Sequence, residues 1–196
     1  MTEYLKNLPD LVDRIKTLRD IIITNIVLIG QTPAPTFKDK RRAKVFMERL
    51  AEFQVDESTT DGYRNPIGII RGKSSGAKPP SFLVAHLDTF YRFFDKDLLF
   101  NYTVRENSIT GPGILDNSLG VGVVLSLPAI FKELDLQFES DIILAGTIQS
   151  TGKGNLRGIR HLLKTWPTPI RGGICIEGVE LGRLNYYSDG MIRGEI

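Results

Sequence analysis

The first quarter of the chain has the hydrophobic spacing of two amphipathic helices. From Leu8 to Ile22, apolar residues recur at steps of three and four, with charged residues between them. Gly30 and the proline-containing residues 33–35 would end this helical region and form a rigid, extended connector. The same spacing predicts a second helix over about residues 38–52.

Beyond residue 54, the apolar residues form short β-branched runs, which are typical of strands. Five runs are predicted to be strands, and the last three are apolar enough to be buried: residues 55–60, 67–71, 81–85, 141–147 and 173–176. Residues 102–109 would add one strand, and another would begin at Leu184. Helices are predicted from the glycine-rich turn to about Leu134 and over residues 156–164. Because strands alternate with helices, the pattern predicts an α/β sandwich around a mixed, largely parallel sheet.

Composition and charge narrow the class of protein. The 196 residues are 41% hydrophobic and 24% charged, as in ordinary soluble domains. The net charge of +2 is too small to indicate a nucleic acid or an anionic membrane as partner. Residues 1–14 lack the order of a signal peptide, and the apolar residues 21–29 are too few to span a membrane. The single cysteine, Cys175, fits a reducing compartment. We therefore expect a cytoplasmic protein with no nucleic-acid or membrane partner.

Basic residues cluster at the start of the second predicted helix. They are Lys38, Lys40, Arg41, Arg42 and Lys44. The pattern predicts that they form the solvated face of this helix, with a site for a polyanion as the alternative.

Imidazole and carboxylate side chains stand where ligands bind in α/β sheets. His86 and Asp88 follow one predicted strand, and Glu177 follows another. Asp116 lies on the glycine-rich turn GPGILDNSLGVG, which could reach the same edge of the sheet. One imidazole and two carboxylates that converge there could bind a divalent metal ion, because Zn²⁺ accepts nitrogen and oxygen ligands. Asp88 could orient the imidazole through a hydrogen bond.

Each of these residues also has a simpler interpretation. A His-x-Asp sequence is commonly a local hydrogen-bonded pair, and Glu177 alone would be a surface acid at the end of a strand. Asp116 directly precedes an apolar helix, so it could equally cap that helix. Spacing alone leaves the metal site and these alternatives open.

Four motifs in order resemble the co-catalytic zinc exopeptidases and deacylases. They are FLVAHLDT, GPGILDNSLGVGVVL, LAGTIQSTGKGNLRGIRHLL and ICIEG, and the connector APTF precedes them. This family includes peptidase T, glutamate carboxypeptidase, acetylornithine deacetylase and succinyl-diaminopimelate desuccinylase. The resemblance runs from about Leu8 to the last residue. It implies a three-layer α/β sandwich, in which residues 1–196 form the N-terminal part of the catalytic domain.

The resemblance implies a role for each matching position. His86 would bind one zinc ion, and Asp88 would orient His86. Asp116 would bridge two zinc ions and have a cis peptide bond to Asn117. Glu177 would complete the first zinc site together with His86 and Asp116.

The sequence departs from the family in two places. The family's Glu-Glu pair, a general base followed by a ligand of the second zinc, is replaced by Ser150 and Thr151. A serine hydroxyl cannot act as a base near neutral pH, and a threonine oxygen is a poor zinc ligand. The family's lid and dimerisation domain and its last zinc-ligating histidine have no counterpart in the 196 residues, so the sheet would be incomplete at its C-terminal end. His161, in the middle of a predicted helix, is expected at the surface or the edge of the core.

We therefore expect a degenerate zinc hydrolase domain that binds at most one ion, of zinc or another divalent metal. Its ancestral reaction would be hydrolysis of amide bonds in small peptides or N-acyl-amino acids. Because the base and most ligands of the second metal are missing, the enzyme is expected to be impaired or inactive. The alternative is a non-catalytic interaction module, or half of a split enzyme that pairs with a protein partner or a separate C-terminal half.

Overall fold

Three helices precede the sheet in this computed structural model, which describes residues 7–89, 101–178 and 182–187. They are α1 (Leu8–Lys16), α2 (Arg19–Gly30) and α3 (Lys40–Glu52). The single helix predicted for residues 8–22 is therefore wrong, because the chain turns at Thr17, whose hydroxyl donates to the carbonyl of Arg14 at 2.7 Å. The break lets α2 bury Asn25, Ile26 and Ile29, whereas α1 buries none of its residues. The second predicted helix is confirmed.

Seven strands follow in the described part of the chain. They are β1 (Glu57–Thr60), β2 (Pro66–Ile70), β3 (Ser81–His86), β4 (Thr103–Val104), β5 (Ile109–Thr110), β6 (Ile142–Thr147) and β7 (Gly172–Cys175). Five of them form one sheet in the order β1-β2-β6-β3-β7. The β1–β2 and β2–β6 pairs are antiparallel, and the β6–β3 and β3–β7 pairs are parallel, so the predicted mixed sheet is confirmed.

The strand predicted for residues 102–109 is instead a small hairpin. β4 and β5 pair antiparallel, and the amide of Arg105 donates to the carbonyl of Ser108 at 2.8 Å across the turn. The polar residues between the two strands reverse the chain, which the apolar pattern alone did not indicate.

Two further helices complete the three layers predicted by resemblance. They are α4 (Leu119–Glu133) and α5 (Arg157–Thr165), close to their predicted bounds. One core lies between the sheet and α2, α3 and α4; its fully buried side chains are Ile29, Phe46, Leu50, Leu87, Val121, Val124, Leu125 and Leu144. The second core lies on the other face, where Phe82, Ile143 and Ala145 pack against Leu162 of α5.

The C-terminal side of the sheet is exposed in the part of the chain that the structure describes. β7 was predicted to be buried, but all four of its residues are exposed, and Ile174 retains 54% of its accessible surface. The prediction is wrong because β7, among the strands that the structure describes, is an edge strand that pairs with β3 alone. The strand predicted to begin at Leu184 is also wrong for residues 184–187, which form no strand.

One segment has the length and composition of a membrane-spanning helix. It comprises Ile114–Glu133, of which half is buried inside the fold. The regular helix begins only at Leu119, and Val121, Val124 and Leu125 are fully buried in the first core. These contacts are those of a core helix.

Asp141 lies directly before β6, and its buried carboxylate binds the segment that follows β2. It accepts hydrogen bonds from the amide of Gly72 at 2.9 Å, the hydroxyl of Ser75 at 2.9 Å and Nη1 of Arg71 at 3.0 Å. Burial alone would raise the pKa of Asp141, but these hydrogen bonds outweigh it and lower the pKa below its usual range.

Replacing Asp141 with asparagine should therefore lower the free energy of unfolding at pH 7 by about 1–3 kcal/mol. Because the pKa is lowered in the folded state, the ionised carboxylate stabilises the fold above the unfolded-state pKa of about 4. That contribution is lost as the pH falls through the folded-state pKa. Urea unfolding of the wild type and Asp141→Asn between pH 7 and pH 3 measures this. The difference between their free energies of unfolding should shrink below about pH 4. The matched control is Glu139→Gln at the exposed neighbouring acid, and an equal loss in that variant would contradict this assignment.

Candidate metal centre

The candidate ligands meet at the edge of the sheet where the parallel strands end. β3 ends at His86, which lies opposite Thr147 at the end of β6. β7 ends at Cys175, two residues before Glu177. Parallel strands place their carboxyl ends at one edge, so the sequence positions alone bring His86 and Glu177 together.

Three side chains form a compact cluster there. The ligand atoms of His86, Asp116 and Glu177 all lie within 4.8 Å of one another. Nε2 of His86 is 3.0 Å from Oδ1 of Asp116 and 3.5 Å from Oε2 of Glu177. The imidazole is largely buried, whereas the two carboxylates are half exposed. One imidazole nitrogen and two carboxylates are ligands that zinc accepts, so the group fits a divalent metal ion that also contacts solvent.

The glycine turn presents Asp116 to this cluster. Its peptide bond to Asn117 is cis, as the resemblance implies, and the backbone at both residues is not helical. The side chain of Asn117 donates from Nδ2 to the carbonyl of Ile176 at 2.9 Å and accepts from the amide of Gly120 at 3.1 Å. Asn117 therefore binds the first turn of α4 and the residue before Glu177, which leaves Asp116 to face His86. The alternative in which Asp116 caps α4 is not what the structure shows.

Gly120 is required for this close approach. A Cβ atom at Gly120 would lie 2.3 Å from the carbonyl oxygen of Ile176 and 2.3 Å from Oδ1 of Asn117. Any larger residue would push the turn away from the end of β7, and with it Asp116 away from Glu177.

The imidazole of His86 is oriented through its other ring nitrogen. Nδ1 lies 2.8 Å from the main-chain carbonyl of Asp88, while the Asp88 carboxylate is 3.8 Å away. A proton on Nδ1 donates to this carbonyl and leaves Nε2 toward the carboxylate cluster. Burial by itself lowers the pKa of His86, but the neighbouring carboxylates outweigh it and raise the pKa to about 12. The site therefore favours positive charge at this position.

The carboxylate of Asp88 holds the loop in which the family's Glu-Glu pair would stand. Asp88 is fully buried. Its Oδ1 accepts from the amide of Ser150 at 2.8 Å, and its Oδ2 accepts from the amide and the hydroxyl of Thr151, each at 2.8 Å. The Thr36 hydroxyl, on the connector, donates to the same Oδ2 at 2.8 Å. Burial raises the pKa of Asp88, but the hydrogen bonds outweigh it and hold the pKa below its usual range.

The remaining predicted residues lie as follows. The Ser150 hydroxyl is buried and lies 3.3 Å from the Thr147 hydroxyl. The Thr151 hydroxyl is 2.6 Å from that of Thr36, as well as bound to Asp88. His161 stacks on Tyr63 with ring centroids 5.1 Å apart and does not belong to the cluster of His86, Asp116 and Glu177, as expected for a residue at the edge of the core.

The sequence interpretation missed three residues around this centre. Thr36 binds Asp88, and Asn117 fastens the glycine turn. Arg42 was predicted on the solvated face of the second helix but is fully buried. The connector motif APTF is a signal that could have directed attention to Thr36. Arg42 stands in a run of exposed basic residues, but it lies four and eight residues before the apolar Phe46 and Leu50, and this helical spacing could have indicated its burial.

Comparison with known proteins supports the fold. Residues 65–148 match the model of peptidase family M28, which covers β2, β3, the glycine turn, α4 and β6. No curated protein sequence matches this chain.

Several solved peptidases share the fold. A tripeptidase from Staphylococcus aureus superposes with a TM-score of 0.62 at 14% identity, over 81% of this chain and 43% of its own. The aminopeptidase PepT from Bacillus cereus superposes with a TM-score of 0.61 at 14% identity, over 81% of this chain and 43% of its own. The dipeptidase Dug1p from Saccharomyces cerevisiae superposes with a TM-score of 0.66 at 14% identity, over 87% of this chain and 41% of its own.

The chain spans less than half of the length of these three peptidases. TM-scores between 0.61 and 0.66 establish a shared fold, and identities of 14% leave substrate and activity open. The resemblance predicted from the four sequence motifs is confirmed. The chain has the fold of the co-catalytic metallopeptidases, and its central residues 65–148 are similar to peptidase family M28.

Proposed function

We propose that this domain is a metallopeptidase-type hydrolase that holds a single divalent metal ion, zinc by preference. The observation that carries the proposal is the convergence of His86, Asp116 and Glu177 within 4.8 Å. These three residues would hold the ion, and a zinc ion bound there would polarise the carbonyl group of an amide bond. The substrate class is a small peptide or an N-acyl-amino acid, as for the enzymes that the sequence resembles.

The contacts of Thr151 support one ion rather than two. Its hydroxyl and its amide both bind the buried carboxylate of Asp88, and its hydroxyl also contacts Thr36. A neutral hydroxyl held in this way is a poor substitute for the glutamate ligand of a second zinc. Of the second site, Asp116 would remain as a ligand.

The environment of Ser150 supports slow catalysis. A general base must take a proton from the attacking water, which a buried hydroxyl near Thr147 cannot do at neutral pH. Loss of such a base typically reduces the rate by about 10²–10⁴. The chain's own residues would therefore bind and orient an amide substrate but would accelerate its hydrolysis weakly.

Calorimetric titration of the metal-free protein with Zn²⁺ tests the proposal. We expect one binding site per chain, together with low dipeptide or N-acyl-amino-acid hydrolysis that a chelator removes. Two tight sites per chain, or rapid chelator-sensitive hydrolysis, would contradict the single-metal, impaired enzyme. Absence of any specific site would overturn the metal centre itself.

Three expectations from the sequence remain predictions. They are the cytoplasmic location, the substrate class, and a protein partner or separate C-terminal half. The exposed edge strand β7 supports a partner on this side of the sheet, and the exposed side chains of Leu184 and Tyr186 add apolar surface for one.

A further inference from the structure

A charged side chain lies buried against the segment that directly follows the candidate ligand His86. Arg42, on α3, has no accessible surface. Its Nε donates to the carbonyl of Thr32 at 2.7 Å. Its Nη1 donates both to the carbonyl of Leu87 and to the hydroxyl of Thr89, each at 2.8 Å. The guanidinium therefore joins the connector to the segment that follows β3.

The two Nη1 contacts enclose the residue that orients His86. Leu87 and Thr89 are the neighbours of Asp88 on either side, and both bind the same guanidinium nitrogen. The main chain of Thr89 is also fixed, because its amide donates to the carbonyl of Ala34 at 2.8 Å. The Asp88 carbonyl, which lies 2.8 Å from Nδ1 of His86, is thus flanked by two residues that Arg42 binds.

The cost of burying Arg42 indicates that it does more than fill space. The effective penalty for removing an ion from water is several kcal/mol. A well-packed apolar side chain would commonly stabilise the same site equally well or better. An arginine, by contrast, offers several donors in a fixed planar fork, so one side chain can bind groups from two segments at once. The geometry at Arg42 uses this property.

We propose that Arg42 is a positioning residue of the metal centre, which fixes the Asp88 carbonyl and thereby aims Nε2 of His86 at the carboxylates of Asp116 and Glu177. This inference rests on the proposed metal site and extends it to a residue outside the ligand set. Lysine cannot replace arginine here, since a single ammonium group cannot span the carbonyls of Thr32 and Leu87 with the same geometry.

The test compares Arg42→Lys with the wild-type protein in two measurements. The first is Zn²⁺ affinity by calorimetry, and we expect about 10- to 100-fold weaker binding, as is typical when a partner of a metal ligand is lost. The second is the NMR signal of the His86 Nδ1 proton in the metal-free protein. We expect this proton to exchange slowly with water in the wild type and rapidly in Arg42→Lys. The chain has two histidines, so His161→Gln assigns the signal.

Two further variants separate positioning from general destabilisation. Leu50→Ala removes a fully buried side chain eight residues further along the same helix and leaves the hydrogen bonds of Arg42 in place, so it should lower stability and leave both measurements unchanged. Thr89→Val keeps Arg42 and removes one of its acceptors, and it carries the test if Arg42→Lys does not fold. In Thr89→Val we expect a smaller loss of Zn²⁺ affinity than in Arg42→Lys, and faster exchange of the Nδ1 proton than in the wild type.

Two outcomes would overturn the positioning role. One is unchanged metal affinity and unchanged proton exchange in the folded Arg42→Lys or Thr89→Val protein. The other is an equal loss in Leu50→Ala, which would show that any weakening of α3 has the same effect. If the wild type binds no metal, the proposed function fails, whereas the proton-exchange measurement still decides whether Arg42 orients His86.

Discussion

Replacing Asp116 with alanine should weaken Zn²⁺ binding by more than about 100-fold. Substitutions of groups that only support a metal ligand cost about 10- to 100-fold in affinity, so loss of a ligand should cost more. Asp116 lies 3.0 Å from Nε2 of His86, and the remaining cluster would be one imidazole and Glu177. Because the carboxylate is half exposed, the fold should tolerate its removal. Calorimetry with Zn²⁺ measures the effect, and thermal unfolding verifies the fold.

The matched control for Asp116 is Asp135→Ala. The Asp135 side chain is 88% exposed, lies just beyond α4 and forms an ion pair with Arg14. Asp135→Ala removes one negative charge, as Asp116→Ala does, but no candidate ligand, so it should leave the affinity for Zn²⁺ unchanged. Equal affinities of Asp116→Ala and wild type would refute the ligand assignment. Equal losses in both variants would show that net charge, rather than coordination, controls binding.

Replacing Asp88 with alanine should destabilise the domain by about 3 kcal/mol or more. The carboxylate is fully buried and accepts from two amides and two hydroxyls of the connector and the loop at residues 150–151. Each buried donor left without an acceptor costs about 1–3 kcal/mol. Chemical denaturation at neutral pH measures the loss.

The comparison with Asp88→Asn distinguishes a specific acceptor from simple packing. Asparagine has nearly the same volume, but its amide nitrogen would oppose donors at one of the two oxygen positions. We therefore expect a loss smaller than that of alanine but still measurable. If Asp88→Ala unfolded at the same denaturant concentration as wild type, the Asp88 carboxylate would not hold this loop. Wild-type stability in Asp88→Asn would show that its charge is unimportant.

Much of the fold could be predicted from the sequence because its elements have strong local periodicity. The helix α3 and the buried strands β3 and β6 follow directly from hydrophobic spacing. The strand ends then place His86 and Glu177 at one edge, by the geometry of parallel strands. For Asp116, spacing left the metal ligand and the helix cap equally open, and the resemblance was needed to choose between them.

The rest depended on tertiary contacts that no local pattern contains. The exposure of β7 follows from its edge position in the sheet, which periodicity does not specify. The burial of Arg42 depends on carbonyl groups from two distant segments, Thr32 and Leu87. The hydrogen bonds between Asp88 and Thr151 likewise join residues that are 63 positions apart.

The strand order has a consequence for how the protein is made. β6 lies between β2 and β3 in the sheet, although both precede it in the chain. During synthesis on the ribosome, β2 and β3 emerge before the strand that must separate them, and their edges remain open until residue 147 has left the exit tunnel. Unpaired strand edges of this kind associate readily with other chains. We therefore expect the nascent chain to be most prone to such association before β6 is complete, and the three candidate ligands to come together only after Glu177 has emerged.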